Sequence, residues 1–149
     1  MNTSTRKKRL GPAPKLPSIE TQTIAFIEES RALPGQVQTR RLRWRGFSTY
    51  LRYWRNYPIS NLVLKEALVI ASVGIPQKYE GRGWFWRYCQ MCLALSDDAL
   101  VLEEVLHPGL YAALKKRSEF VEVVPKTFVL RKKKPGEWPL KLIVPSTER

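Results

Sequence analysis

The stretch RRLRWRGFSTYLRYWRNY, Arg40 to Tyr57, carries six arginines and six aromatic side chains and contains no acidic residue. Before Gly46, Leu42 and Trp44 alternate with arginines. This period of two is typical of a half-buried strand with a cationic outer face. We therefore predict a strand that begins near Val37 and ends before Gly46.

After Gly46 the spacing of the aromatic side chains changes. Phe47, Tyr50 and Trp54 recur at three and four residues, which predicts a helix with its rings mostly in the core. Pro58 and Ser60 or Asn61 are predicted to restart a helix that runs, largely buried, to about Val73.

The chain before this stretch has two readings. The segment IETQTIAFIEES either begins a helix capped by Ser18 or forms a short strand around Thr23 to Ile27. Threonine and isoleucine at its centre favour the strand. Leu33-Pro34-Gly35 then predicts a turn.

The rest of the chain completes the predicted α+β fold. The expected elements are an exposed loop at Gly74 to Gly83, helices at Trp84 to Leu95, from Ser96 or Asp97 to Leu106 and from Pro108 to Arg117, a strand at Phe120 to Val124, and two extended segments around Pro135-Gly136. We predict one domain over residues 18–149, with a small antiparallel sheet and a C-terminal hairpin packed on several helices. Residues 1–17 are predicted to be a flexible basic arm that contains three prolines.

The charge of the chain favours polyanionic partners. Its 26 Lys and Arg against 13 Asp and Glu give a net charge of +13, which suits RNA, nucleoprotein or anionic lipid. No acidic residue lies between Glu29 and Glu66 to neutralise the arginines locally. The candidate residues for nucleocapsid or nucleic-acid binding are the basic side chains of this stretch and of the C-terminal hairpin: Arg40, Arg41, Arg43, Arg45, Arg52, Arg55, Arg131, Lys132, Lys133 and Lys134.

Two further groups are candidates for contact with a membrane. The arm supplies the membrane-binding candidates Arg6, Lys7, Lys8, Arg9, Leu10 and Lys15. The loop supplies candidates for membrane contact or self-association: Lys78, Tyr79, Arg82 and Trp84. The longest apolar run, Ala67 to Ile75, is far shorter than the roughly 20 residues that span a bilayer, so we expect membrane contact to be peripheral.

Residues with catalytic or metal-binding chemistry are few. The only histidine, His107, stands at a helix junction, and Asp97 and Asp98 are interpreted as helix caps. Cys89 and Cys92 lie in an apolar helix, where buried cysteines behave as small hydrophobic residues. We expect no enzymatic activity, no cofactor and no metal, and a reducing compartment.

The order of these pieces resembles that of rhabdovirus matrix proteins, most nearly the vesiculovirus type. The basic tail and proline-rich segment correspond to KKRLGPAPKLPS, and the strand with an aromatic-x-Thr-Tyr turn corresponds to VQTRRLRWRGFSTY. The loop with its apolar helix is similar to GRGWFWRYCQMCLALS, and the closing hairpin to KTFVLRKKKPGEWPLKLIV. The segment Pro14-Lys15-Leu16-Pro17 lacks the tyrosine of that family's late-budding motif.

The resemblance implies a mixed sheet-and-helix fold, self-association, nucleocapsid binding and peripheral attachment to the inner face of the host membrane. It places the protein in the virion and the host cytoplasm, with the nucleus also open, and gives it a role in assembly and budding. The alternative is a small basic RNA-binding viral protein, such as a silencing suppressor, in which an exposed Trp44 or Trp54 would stack on bases. A third class is an adaptor that binds a host factor through the apolar helices.

Overall fold

The computed structural model describes residues 17–132, which form three helices and one six-stranded sheet. The helices are α1 (Ile19–Ala32), α2 (Trp84–Leu95) and α3 (Pro108–Lys115); the strands are β1 (Val37–Trp44), β2 (Phe47–Ile59), β3 (Leu62–Gly74), β4 (Ala99–Leu102), β5 (Val121–Val124) and β6 (Thr127–Arg131). The strand order is β1-β2-β3-β4-β6-β5. Neighbouring strands are antiparallel except β3 and β4, which are parallel and are connected through α2. The predicted α+β class is confirmed, with a larger and mixed sheet.

The predicted helix after Gly46 is wrong, because the chain turns back into β2. Arg45 and Gly46 have φ angles of 48° and 86°, the pair of positive values that a two-residue type I′ hairpin turn requires. Trp44 therefore pairs with Phe47 across the hairpin. In the first half of β2 every second residue is buried: Phe47, Thr49, Leu51 and Tyr53.

The helices predicted from Pro58 to Val73 and from Ser96 or Asp97 to Leu106 are also wrong. These segments are the central strands β3 and β4, and residues 67–70 and 99–102 are all buried. A strand that is buried on both faces shows a continuous apolar run with no alternation, which a buried helix segment also shows.

The segment after Ser18 is the helix α1, and the favoured strand at Thr23 to Ile27 is wrong. The Ser18 hydroxyl accepts a hydrogen bond from the Thr21 amide at 3.2 Å, which caps the first turn. The buried side chains are Ile19, Thr23, Phe26, Ile27 and Ser30, and this spacing is helical. Three of the β-branched residues, Ile19, Thr23 and Ile27, face the core, so packing overrides propensity.

Two apolar clusters lie on opposite faces of the sheet. The helix-side core joins the three helices to β1, β2, β3, β4 and β6 through residues such as Phe26, Leu51, Tyr88, Leu100 and Leu114. The second cluster, named here the back-face cluster, is made of strand residues: Tyr57, Ile59, Leu62, Leu64, Ala67, Val69, Ala99, Val101 and Val129, with Trp54, Val121 and Val123 partly buried against it.

The remaining elements agree with the sequence in most places. The helices α2 and α3 and the strand β5 lie where they were predicted, although α3 ends at Lys115. Residues 75–83 form a loop with a short 3₁₀ turn at Gln77–Tyr79. The first extended segment of the predicted hairpin is β6; Pro135-Gly136, the second segment and residues 1–16 of the arm lie outside the described residues.

Candidate anion-binding surfaces

Aromatic rings from three segments meet at one end of the sheet. The Phe47 ring lies 5.9 Å from Trp44, 5.3 Å from Tyr79 and 4.8 Å from Trp84, measured between centroids. The β1–β2 turn, the loop after β3 and the start of α2 are thereby brought together. The strand arginines and the loop, separate candidates in the sequence, are neighbours in the structure.

Basic side chains surround these rings. The Arg45 guanidinium lies 5.2 Å from the Trp44 ring and the Lys78 ammonium 5.3 Å from the Tyr79 ring. A cavity of about 600 Å³ opens beside the four rings, and its lining is Ser18, Ile19, Glu20, Trp44, Phe47, Tyr79, Arg82, Trp84 and Arg87. We call Trp44, Arg45, Lys78, Tyr79, Arg82, Trp84 and Arg87 the aromatic-basic end.

The start of α2 contributes to the same electrostatic environment. Gly83 precedes the helix in the left-handed region, with a φ of 83°, and the first turn of α2 contains no acidic residue. The Arg87 Nη1 donates to the backbone carbonyl of Arg82 at 3.3 Å, so the exposed Arg87 guanidinium lies close to the positive end of the helix. The Arg82 side chain is also exposed. The Glu20 carboxylate accepts from the Trp84 Nε1 at 2.9 Å, which fixes the orientation of the indole.

The N-terminal segment enters the described structure at this same end. The Gln22 Nε2 donates to the Pro17 carbonyl at 2.7 Å and to the Arg43 carbonyl at 2.9 Å. The chain that carries Arg6, Lys7, Lys8, Arg9, Leu10 and Lys15 therefore joins the domain beside β1, although these six residues themselves lie outside the described range.

Two arginines of β1 lie on the opposite face of the sheet from the helices. Arg41 is paired in register with Tyr50, and Arg43 with Ser48, and both arginines are exposed. The Tyr50 ring has the Arg41 guanidinium 5.0 Å from its centroid and the Arg52 guanidinium 5.4 Å away. We call Arg41, Arg43, Tyr50 and Arg52 the back-face arginine patch.

Arg52 of this patch, and Arg40 and Arg55 outside it, have partners within the fold. Arg40 forms an ion pair with Glu29 at 2.7 Å, and Arg52 forms one with Glu103 at 2.5 Å. Arg55 donates to the carbonyls of Gly35, Ser30 and Arg31. The absence of a nearby acid in the sequence was a poor guide because the acids come from α1 and from the residue after β4.

The predicted capping role of Asp97 and Asp98 is wrong, because no helix begins there. Asp98 Oδ1 accepts from the Arg131 Nη2 at 2.8 Å, and Oδ2 accepts from the Lys65 amide at 2.9 Å. Asp98 therefore joins the end of β6 to β3, and the Arg131 side chain is only 10% exposed. Lys132 is exposed, and Lys133 and Lys134 lie outside the described residues.

The two cysteines and the histidine considered for catalysis or metal binding are, respectively, buried in a helix and engaged in capping one. Cys89 and Cys92 are buried in α2, and burial raises the pKa of both thiols, that of Cys92 to about 12. The His107 Nδ1 accepts from the Leu110 amide at 3.1 Å and caps α3. Among residues 17–132 no group of three or more His, Cys, Asp or Glu side chains could hold a metal ion.

The tryptophans of the opening stretch differ in their surroundings. Trp44 is partly buried and packs against the helix-side core, whereas the partly buried Trp54 makes an edge contact with Tyr57 at 4.7 Å. Arg87 and the position of Tyr50 between two arginines escaped the sequence reasoning. Arg87 follows the predicted Trp84 by three residues, a helical spacing that could have placed both beside the loop.

Comparisons with protein-family models, with curated proteins and with solved structures find no match to this chain. Within the described range, none of the helices has the length and apolar character needed to cross a membrane. The fold and the site define the class of protein: an α+β domain with basic side chains on both faces of β1, the strand at one edge of its sheet.

Proposed function

We propose that this chain is a nonenzymatic, matrix-type viral structural protein that links an anionic membrane surface to the viral nucleocapsid. The observation that carries the proposal is the division of basic side chains around β1. Trp44 and the aromatic-basic end lie toward the helices, whereas Arg41 and Arg43 lie on the back face. Two separate cationic surfaces suit a protein that bridges two polyanionic partners.

The aromatic-basic end is the proposed membrane surface. Tyrosine and tryptophan favour the interface between water and lipid because one part of each ring system is apolar and another is polar. Lys78, Arg82 and Arg87 are exposed beside these rings. Each basic residue near an anionic membrane contributes about 1 kcal/mol to binding, and the basic arm adds its charges because it enters the domain here.

The back-face arginine patch is the proposed nucleocapsid surface. Among the described residues neither Arg41 nor Arg43 forms an ion pair. A guanidinium free of carboxylate partners can bind phosphate through two parallel hydrogen bonds. Lys132 and the two lysines that follow it are further candidates for the same partner.

Self-association and location follow from the same proposal. A protein that forms a layer beneath a membrane must contact its own copies, and the loop with Lys78 and Tyr79 is the proposed contact if it does not enter the lipid. We place the protein in the virion and the host cytoplasm, peripheral at the inner face of the host membrane, during assembly and budding.

A specific observation also favours RNA binding as a second candidate function. Tyr50 is half-buried on the back face, between Arg41 and Arg52. A tyrosine flanked by guanidinium groups is a suitable platform for a stacked base and its phosphates. In that case the whole cationic surface would serve a nucleic acid.

The two functions are separated by measuring lipid and RNA binding side by side. The full chain is floated with phosphatidylserine vesicles and with phosphatidylcholine vesicles, and its gel shift with a short RNA is recorded at physiological salt. We expect the chain to float with phosphatidylserine vesicles and not with phosphatidylcholine vesicles. Tight RNA binding without flotation would overturn the matrix proposal and leave the RNA-binding one.

A further inference from the structure

We propose that the outer edge of β1 binds an extended, acidic segment of a protein partner, which adds to the sheet as a further strand. The inference goes beyond the proposed function, because it concerns the backbone of β1 and not the contacts of its arginines with phosphate. It depends on three features of the described residues: the direction of the backbone groups of β1, the exposure of this edge and the charge beside it.

The backbone groups of β1 divide between two directions. Among the described strands β1 pairs only with β2, and the pair is antiparallel. In such a pair, residues bonded to the neighbouring strand alternate with residues whose N–H and C=O groups point away from it. The Arg55 amide donates to the Gln36 carbonyl at 2.8 Å, and this contact continues the register of β1 and β2. The even-numbered residues are therefore bonded to β2, and the outward groups belong to Val37, Thr39, Arg41 and Arg43.

The outer edge is open along most of its length. The Gln22 Nε2 of α1 donates to the Arg43 carbonyl at 2.9 Å, which is the contact expected of a carbonyl at this edge. Among residues 17–132, no hydrogen bond outside the sheet involves the backbone of Thr39 or Arg41, and both residues are exposed. Unpaired backbone groups along a strand of 8 residues form a template for another chain.

The pattern of the edge favours a polypeptide over a nucleic acid. Along β1 the outward N–H donors alternate with outward C=O acceptors, and the backbone of an extended peptide carries the same alternation. An ionised phosphate only accepts hydrogen bonds, so it leaves the carbonyl oxygens of the edge without a donor. The edge therefore suits a partner that both donates and accepts.

The side chains beside the edge select acidic residues in that peptide. Leu42 and Trp44 pack on the helix-side core, so Arg41 and Arg43 project from the opposite face, two positions apart. Both are exposed, and among the described residues neither forms an ion pair. A strand added to this edge lies about 4.8 Å away and places every second side chain on the same face. Carboxylates at alternate positions of the peptide would lie beside the two arginines.

The same arginines disfavour a second copy of this chain as the occupant. Two β1 strands paired edge to edge would bring Arg41 and Arg43 of both copies together on one face. Like charges opposite each other on neighbouring strands are destabilising, and the β1 sequence VQTRRLRW contains no acidic residue to offset them. A strand of opposite charge is therefore the better partner.

The test uses a synthetic peptide that alternates glutamate with threonine and is as long as β1. In the full chain, Thr39→Pro removes one outward N–H and places a ring at the edge, but it keeps the positive charges and the bonds to β2. It should weaken peptide binding, measured by fluorescence anisotropy, by about tenfold or more. Thr39→Ala is the matched control and should change binding by less than about twofold. Equal effects of the two substitutions, or failure of the unmodified chain to bind the peptide, would overturn the proposal.

The result can be separated from the proposed function. Because Thr39→Pro keeps Arg41 and Arg43, its gel shift with RNA and its flotation with phosphatidylserine vesicles should match those of the unmodified chain. Loss of peptide binding alone supports the edge contact. Loss of all three activities would show that the substitution damages the fold, and a measurement on the unmodified chain then decides.

That measurement is amide hydrogen exchange. In the free chain, the outward amides of Thr39, Arg41 and Arg43 should exchange faster than those of Arg40 and Leu42, which are bonded to β2. Saturating peptide should slow the outward set by about tenfold or more and leave the other set unchanged. Equal protection of both sets, or protection of neither, would overturn the proposal. Protection that rises with protein concentration in the absence of peptide would also overturn it, because a second copy would then occupy the edge.

Discussion

The Arg31 guanidinium binds both carboxylate oxygens of Glu66, with 3.2 Å from Nε to Oε2 and 2.8 Å from Nη2 to Oε1. The Tyr53 hydroxyl donates to the same Oε2, and the Asp97 amide donates to Oε1 at 2.7 Å. One buried carboxylate thus joins α1, β2, β3 and the segment after α2. Glu66 was the first acid after the cationic stretch in the sequence, and the fold places it against an arginine that precedes that stretch.

Replacing this carboxylate should weaken the fold. We expect Glu66→Gln to lower the free energy of unfolding by about 1.5–3 kcal/mol, because charged hydrogen bonds to a buried acceptor are lost. Denaturant unfolding of both chains measures the difference. The control is Glu29→Gln, which removes the exposed pair with Arg40 and should cost less than about 1 kcal/mol; equal losses would contradict the prediction.

The same carboxylate should make stability depend on pH. Burial by itself raises the pKa of Glu66, but the hydrogen bonds from Arg31, Tyr53 and the Asp97 amide outweigh it and hold this pKa below its ordinary value of 4.5. The unfolded chain therefore binds the proton more readily, so the stabilisation is complete above about pH 4.5 and is lost as the pH falls through the lower, folded value. Unfolding curves from pH 7 to pH 3 should fall more steeply for the unmodified chain than for Glu66→Gln, and parallel curves would exclude Glu66 as the source.

Charge reversal at the aromatic-basic end should weaken membrane binding. Lys78→Glu with Arg82→Glu should reduce the partition onto phosphatidylserine vesicles by more than about tenfold, because two favourable contacts become repulsive. Flotation measures the bound fraction. Lys65→Glu with Lys116→Glu makes the same change in net charge at exposed positions elsewhere and should have a much smaller effect; an equal loss would show that only net charge matters.

Charge reversal in the back-face arginine patch should weaken binding to polyanions. Arg41→Glu with Arg43→Glu should abolish the gel shift with a short RNA, used here as the probe for nucleocapsid phosphates. With Arg41→Ala and Arg43→Ala, the slope of log affinity against log salt should become shallower by about 1.4, since two phosphate contacts to a single strand are lost. The Lys65 and Lys116 double variant again supplies the control, and a gel shift that survives Arg41→Glu with Arg43→Glu would rule out this face.

The two thiols of α2 should be slow to react in the folded chain. Burial raises the pKa of Cys89 and raises that of Cys92 to about 12, so very little thiolate forms at pH 8, and access is blocked as well. A chromogenic disulfide reagent should label both residues only as fast as the chain unfolds. Adding denaturant should accelerate the labelling strongly, and rapid labelling under native conditions would contradict the buried position.

Several local features could be predicted from the sequence because they depend on near neighbours. The strand β1 follows from the alternation around Leu42, and α2 follows from its apolar length and the glycines before it. Ser18 carried a cap signal, and the choice of strand over helix in α1 failed because propensity was given more weight than the spacing of Ile19, Thr23 and Phe26. The basic candidates around β1 could also be identified from the sequence, because charged residues can be counted without knowing the fold.

What the sequence by itself determined is a basic chain with enough apolar residues for one core, a cationic strand at Val37–Trp44 and an apolar helix at Trp84–Leu95. Only the tertiary structure decided that β3 and β4 are strands, because burial on both faces removes the alternation that distinguishes a strand from a buried helix. It also decided which arginines remain available. Glu29 of α1 pairs with Arg40, and Glu103 after β4 pairs with Arg52; such pairs depend on how the sheet and helices pack rather than on spacing in the sequence.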